Sequence, residues 1–156
     1  AGPAVAGGME LAIWADMRVM EETAFMGVYC RRWGISRIDG GTVRLPRLVG
    51  EGRAMDLILT GRRVDADEAL AIGLCEDVVP EGGARGKAEH LAQEIARFPQ
   101  SCVHADRQSA RAQHGLSLRE ALRQEWWNSK SEVTKGIEGA ARFADGKGRG
   151  GDFSDV

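Results

Sequence analysis

Apolar residues in the second half of the chain recur at the spacing of a helix face. Ala88, Leu91, Ala92, Ile95 and Ala96 follow one another at steps of 3, 1, 3 and 1, which predicts a helix running from about Lys87. Pro99 interrupts it, and a second helix is predicted over 101–113, closed by Gly115. Ser117 with Glu120 three residues later forms a capping box. It opens a longer predicted helix through Leu118, Leu122, Trp126 and Val133. A last short helix over 135–144 stops at Asp145-Gly146. The tail, 147–156, is glycine-rich and charged, a pattern of mobile chain ends unless a partner holds them.

The first eighty residues carry a different pattern. Val5 to Gly8 passes from small apolar residues into a glycine pair, and residues 9–15 (MELAIWA) read as a short buried helix. Residues 17–20 are a strand candidate. Residues 24–39 show no period and are expected to be irregular, with at most one helical turn. Pro46 is expected near the first turn of a helix, where its lack of an N–H does no harm. A helical pattern over 53–59 ends at Thr60-Gly61. Asp65 with Glu68 forms a second capping box, opening a helix to about Ile72, and residues 76–79 read as a strand closed by Pro80. Strands, helices and glycine turns thus alternate over 1–80, whereas 81–156 is a helical module. The shift falls near Pro80 to Gly86, and no internal repeat is present.

Composition narrows the function classes. Hydrophobic residues at 43% and charged residues at 28% are those of a globular protein, not a disordered one. Lys+Arg 21 against Asp+Glu 23 leaves no basic excess for nucleic acid. No stretch approaches the roughly 18 apolar residues of a membrane helix. Cys30, Cys75 and Cys102 are odd in number and widely spaced, and His90, His104 and His114 stand apart. No metal pattern results, and a reduced cytoplasmic setting is the expectation. Glycine, 21 of 156 residues, is near twice its usual share. The opening Ala1-Gly2-Pro3-Ala4-Val5-Ala6-Gly7-Gly8 has no charged n-region and reads as the interior of a domain.

Few residues stand out chemically. Glycines just before a helix let a ligand reach N–H groups that have no intrahelical partner. Gly7 and Gly8 are so placed, and Glu10 follows as a candidate proton carrier. A plain tight turn with a first-turn charge accounts for the same residues. Asp39, before Gly40-Gly41, is either a turn residue or a second carboxylate of the site. Cys30 lies beside Arg31 and Arg32, which admits a reactive thiol or an inert buried one. Trp126-Trp127 reads as packing, and Arg62-Arg63 as a solvated pair or a phosphate contact.

Several segments in order resemble the crotonase (enoyl-CoA hydratase/isomerase) superfamily. They are residues 2–12 (GPAVAGGMELA) with 16–19 (DMRV), 40–50 (GGTVRLPRLVG), 59–69 (LTGRRVDADEA), Gly73-Leu74, and Val78-Val79-Pro80. The resemblance runs from Gly2 to about Phe153. It implies an α/β fold: the second half of a spiral of ββα turns over 1–80, then a C-terminal helical trimerisation module over 81–156. The N-terminal part of the family domain would lie upstream of Ala1, with the second oxyanion donor and the adenine-binding segment. Without it, half the sheet stack would be lacking and a sheet edge would be left open.

The same resemblance implies an acyl-CoA thioester as substrate, with no separate cofactor and no metal. Assembly as a homo-trimer or a dimer of trimers is implied as well. Gly7 would supply one oxyanion N–H, and Glu10 matches the first glutamate of the hydratases. The second glutamate falls on Cys30, breaking the two-carboxylate arrangement for adding water. Asp39 stands where family isomerases of dienoyl thioesters place an aspartate. Ala6 replaces the first turn glycine. Phe143, and more loosely Lys147, resemble the segment that contacts the CoA of a neighbouring subunit, so Cys30, Phe143 and Lys147 are expected to bind substrate. Two further readings remain. One is a non-catalytic acyl-CoA-binding or scaffolding trimer subunit. The other is a thioester hydrolase using Cys30, for which no His is visibly placed.

Overall fold

The computed structural model describes residues 1–148. The chain forms two compact units, Ala1–Gln93 and Glu94–Val156.

The first unit holds all five strands among the described residues. Strand β1 (Pro3–Val5) runs parallel to β3 (Phe25–Gly27), and β3 is antiparallel to β4 (Arg63–Asp65), giving the order β1-β3-β4. Strand β2 (Val19–Glu21) pairs in parallel with β5 (Asp77–Val79). Helix α1 (Gly7–Ala12) follows β1 directly. Helices α2 (Gly41–Val49) and α3 (Glu51–Thr60) pack together, and α4 (Ala66–Ala71) follows β4. Met9, Leu45, Leu57, Leu74, Val28 and Val64 are fully buried at the centre.

Buried charges tie the elements together. Arg18 is buried, pairs with Glu76, and donates from Nε to the Leu74 carbonyl at 2.8 Å. Buried Glu21 accepts from the Ala84 N–H at 3.4 Å, where helix α5 (Ala84–Ala96) begins. A carboxylate there opposes the positive end of the helix.

In the first unit three local expectations are corrected. The stretch 24–39 holds the one helical turn expected, a 3-10 turn over Tyr29–Trp33, but it also contains the strand β3. A three-residue strand is too short to show alternation, and β3 is fixed instead by ladders on both sides. Pro46 sits inside α2, past its first turn. The helix starts earlier than Pro46 suggests because Gly40, at φ 90°, turns the chain and its carbonyl accepts from Arg44 N–H at 2.9 Å. The Asp65 capping box is absent. Asp65 precedes α4, yet Arg63 holds its carboxylate and Arg62 holds Glu68.

The second unit is helical. Helix α6 (Gln100–Ala112) packs on α7 (Leu118–Ser129), with Asn128 Nδ2 donating to Ser109 Oγ at 2.9 Å. The Ser117 box is formed as expected: Glu120 N–H meets Ser117 Oγ, and Ser117 N–H meets Glu120 Oε2 at 3.0 Å. The helix expected to run through Val133 instead breaks into a 3-10 turn at Lys130–Glu132 before α8 (Val133–Ala144). Glu132 is drawn to Ser101 of α6 and to Lys135. The expectation of a mobile tail concerns mainly 149–156, which lie outside the described residues, as does Phe153. No helix among the described residues is long and apolar enough to cross a membrane.

Candidate active site

The turn from β1 into α1 positions the first group. Ala6 donates its N–H to the Gly27 carbonyl at 3.0 Å, anchoring the turn to β3. Its φ of 50° and ψ of −123° then swing the next peptide away. Among the described residues the exposed Gly7 makes no hydrogen bond through its N–H. That Ala6 conformation is strained for a residue with a Cβ.

One helical turn later comes Glu10, only 3% exposed. A buried carboxylate needs partners. Its Oε1 accepts from the Gly41 N–H at 2.7 Å and lies 3.3 Å from Arg37 Nε. Among the described residues the polar contacts of Glu10 fall on Oε1 and none on Oε2. Gly41 is required by space, since a side chain there would collide with Arg37 Nε and Glu10 Oε1.

Asp39 arrives on the loop before α2. A methyl group placed on Gly7 would lie 3.5 Å from Asp39 Oδ2, so the two are neighbours. The Arg44 guanidinium donates to the Asp39 carbonyl at 3.2 Å and stacks 4.8 Å over the Trp14 ring. Gly7, Glu10, Leu11, Trp14 and Asp39 line one pocket of about 330 Å³. An N–H without a partner and two carboxylates therefore share a pocket with an apolar wall.

The family model for Enoyl-CoA hydratase/isomerase matches residues 1–148. The chain belongs to the enoyl-CoA hydratase/isomerase family. The enoyl-CoA hydratase EchA19 of Mycobacterium tuberculosis is 38% identical over 122 residues, covering 78% of this chain and 46% of the relative. The crystal structure of an enoyl-CoA hydratase from Bacillus anthracis is similar at a TM-score of 0.87 and 35% identity, covering 92% of this chain and 57% of that one. A Thermobifida fusca family protein solved in complex with CoA matches at a TM-score of 0.81 and 26% identity, covering 88% and 53%. The chain spans about half the length of the curated relatives it matches. The fold is the crotonase fold of these family structures, followed by the helical region.

Within that fold, the expected site residues fall in three places. Gly7, Glu10 and Asp39 come together on the pocket. Cys30 is 7% exposed, packed in the core cluster, and does not line the pocket. Phe143 lies on α8 and Lys147 just beyond it, both in the second unit. A larger groove of about 490 Å³ runs along α7 past Leu118, Leu122, Trp126 and Trp127, but it holds no carboxylate. Arg37 was not foreseen. Its signal was Glu10 itself: a carboxylate on the buried face of α1 calls for a cation, and Arg37 lies two residues before Asp39.

Proposed function

We propose that the protein is an acyl-CoA thioester enzyme whose carboxylates relay a proton between carbons, shifting a double bond rather than adding water. The observation that carries this reading is the shared pocket: Gly7, Glu10 and Asp39 line it and Cys30 does not. The Gly7 N–H would receive the thioester oxygen. For a 3-enoyl thioester, a carboxylate takes a proton from Cα. The C–H electron pair passes into the carbonyl, and the oxygen becomes an enolate held by the N–H. The proton returns at C4 as the 3,4 double bond moves to the 2,3 position. For a dienoyl thioester the proton returns two carbons farther on, where a second carboxylate is useful. Glu10 is the proton carrier in both cases, with Asp39 assisting. A positioned acid/base group contributes about 10²–10⁴-fold, and an oxyanion donor roughly 10²–10³-fold. The acetoacetyl-CoA bound in another Thermobifida fusca structure supports a thioester ligand.

The test is an assay of the full-length protein on 3-enoyl, dienoyl and 2-enoyl thioesters. Isomerisation is expected to exceed hydration. Glu10→Gln should lower turnover by about 10²–10⁴-fold, with a smaller loss for Asp39→Asn on the dienoyl substrate. Faster hydration, binding without turnover, or unchanged turnover in both variants overturns the reading.

The second unit supports a companion proposal, that copies of the chain assemble as trimers through α6–α8. Leu118, Leu122, Trp126, Trp127 and Ile137 are all more than half exposed. Phe143 and Lys147 would then reach a neighbour's CoA. Light scattering checks this, and a single-chain mass in the active protein overturns it.

A further inference from the structure

We propose that Arg37 is a positioning residue for Glu10, fixing which carboxylate oxygen the pocket receives. The inference rests on reading Glu10 as the proton carrier. The Arg37 side chain is 2% exposed and that of Glu10 4%, so the pair is closed off from water. Arg37 Nε stands 3.3 Å from Glu10 Oε1, the oxygen already bonded to Gly41 N–H. One hydrogen bond, from Gly41, and the Arg37 charge thus both fall on one oxygen, and Oε2 is left for the substrate. The guanidinium is poorly satisfied in return. Among the described residues its Nε and Nη2 have no hydrogen-bond partner, and Nη1 has Met9 Sδ at 4.0 Å.

A buried charge kept merely for stability is normally surrounded by acceptors. Met9, the Glu10 carboxylate and Gly41 stand against the Arg37 guanidinium. The arrangement serves Glu10 more than it serves the guanidinium. Gly41 belongs to the same device, because a side chain there would push the two apart. With Arg37 removed, one N–H alone holds the carboxylate, and its plane is free to turn. A small misplacement of a reacting group costs about 10²-fold. Binding of the thioester, which depends on other contacts, should change little.

The test measures kcat and KM separately for R37M, R37K and E10Q in the full-length protein. R37M should lower kcat by about 10²-fold with KM little changed. R37K keeps the charge but not the planar fork, and should recover part of the loss. If R37M fails to fold, R37K alone carries the test, with kcat corrected for the folded fraction measured by circular dichroism. Parental kcat in the folded Arg37 variants, or a loss confined to KM, overturns the inference while E10Q remains inactive. Unchanged turnover in E10Q is a different result: it overturns the role of Glu10 and the Arg37 inference with it.

Discussion

The two units treat their apolar faces in opposite ways. Each of α1 to α4 buries residues, among them Met9, Leu45, Val49, Leu57 and Ala69. Helices α6, α7 and α8 bury none, and α7 leaves Leu118, Leu122, Trp126 and Trp127 mostly exposed. An amphipathic pattern predicts helices equally well in both units. What it cannot say is where the cover for the apolar stripe comes from. In the first unit the strands and neighbouring helices of the same copy supply it. In the second unit the described residues leave the α7 stripe mostly exposed, and under the proposed assembly a neighbouring copy would cover it.

The largest expected effect tests that contrast directly. Leu45 is fully buried, so Leu45→Ala should cost about 2–5 kcal/mol at every protein concentration, read from urea unfolding. Leu118 is 76% exposed. In dilute protein Leu118→Ala should stay within about 0.5 kcal/mol. Its cost should then grow with protein concentration as assembly adds to stability. A penalty for Leu118→Ala matching that of Leu45→Ala in dilute protein would show the α7 face covered within one copy, and the contrast would fail.

Next in size are two positive-φ positions, one in each unit. Ala6 stands at φ 50° in the turn before α1, while Gly115 stands at φ 84° between α6 and α7. A side chain at Gly115 would meet nothing within 4 Å, so any penalty there is backbone strain alone. Ala6→Gly should therefore stabilise by about 1 kcal/mol, and Gly115→Ala should cost about as much. Thermal unfolding of the two variants checks the opposite signs. Equal signs would mean that one of the two turns rearranges.

How far the sequence foretold these regions depends on the range of the interactions involved. The α5, α6 and α7 helices and the Ser117 box are local, set by residues three or four apart, and the pattern shows them. Gly7, Glu10 and Asp39 were legible because glycines and carboxylates in ordered motifs resemble the family. Strand β3 was not legible, since its three residues owe their conformation to β1 and β4, both distant in sequence. The Asp65 box failed for a related reason. Arg62 and Arg63 compete for the carboxylates that would have made it, and a spacing rule does not see competitors. Arg37 is the clearest case, because its partner lies at Glu10 and only folding brings the two together.

Those two boxes give the next smaller prediction. Ser117→Ala removes a cap that is formed and should cost about 1 kcal/mol. Asp65→Ala removes a side chain that caps nothing and makes an exposed pair with Arg63, so its cost should stay under about 0.5 kcal/mol. Comparable losses in chemical denaturation would show that α4 is capped in solution after all.

Acid should produce the smallest effect, and with the same sign in both units. The hydrogen bond from Arg62 holds the Glu68 carboxyl below its ordinary value of 4.5, against a smaller opposing effect of burial. In the second unit the Ser117 side chain, then its backbone, hold Glu120 below the same value. A carboxyl with a lowered folded-state pKa contributes stability that is complete above its unfolded value and disappears as pH falls through the folded one. Arg62, raised far above its usual range by Glu68 and Asp56, stays charged throughout. Both glutamates are reached by solvent, which screens the interactions and keeps the effect small. Urea midpoints followed from about pH 6 to about pH 3 should therefore drift downward only below the ordinary glutamate range. Glu68→Gln should flatten the part of that drift read by probes in the first unit, and Ser117→Ala the part read in the second. A drift that begins well above that range, or that neither substitution alters, would place the acid-sensitive groups elsewhere in the molecule.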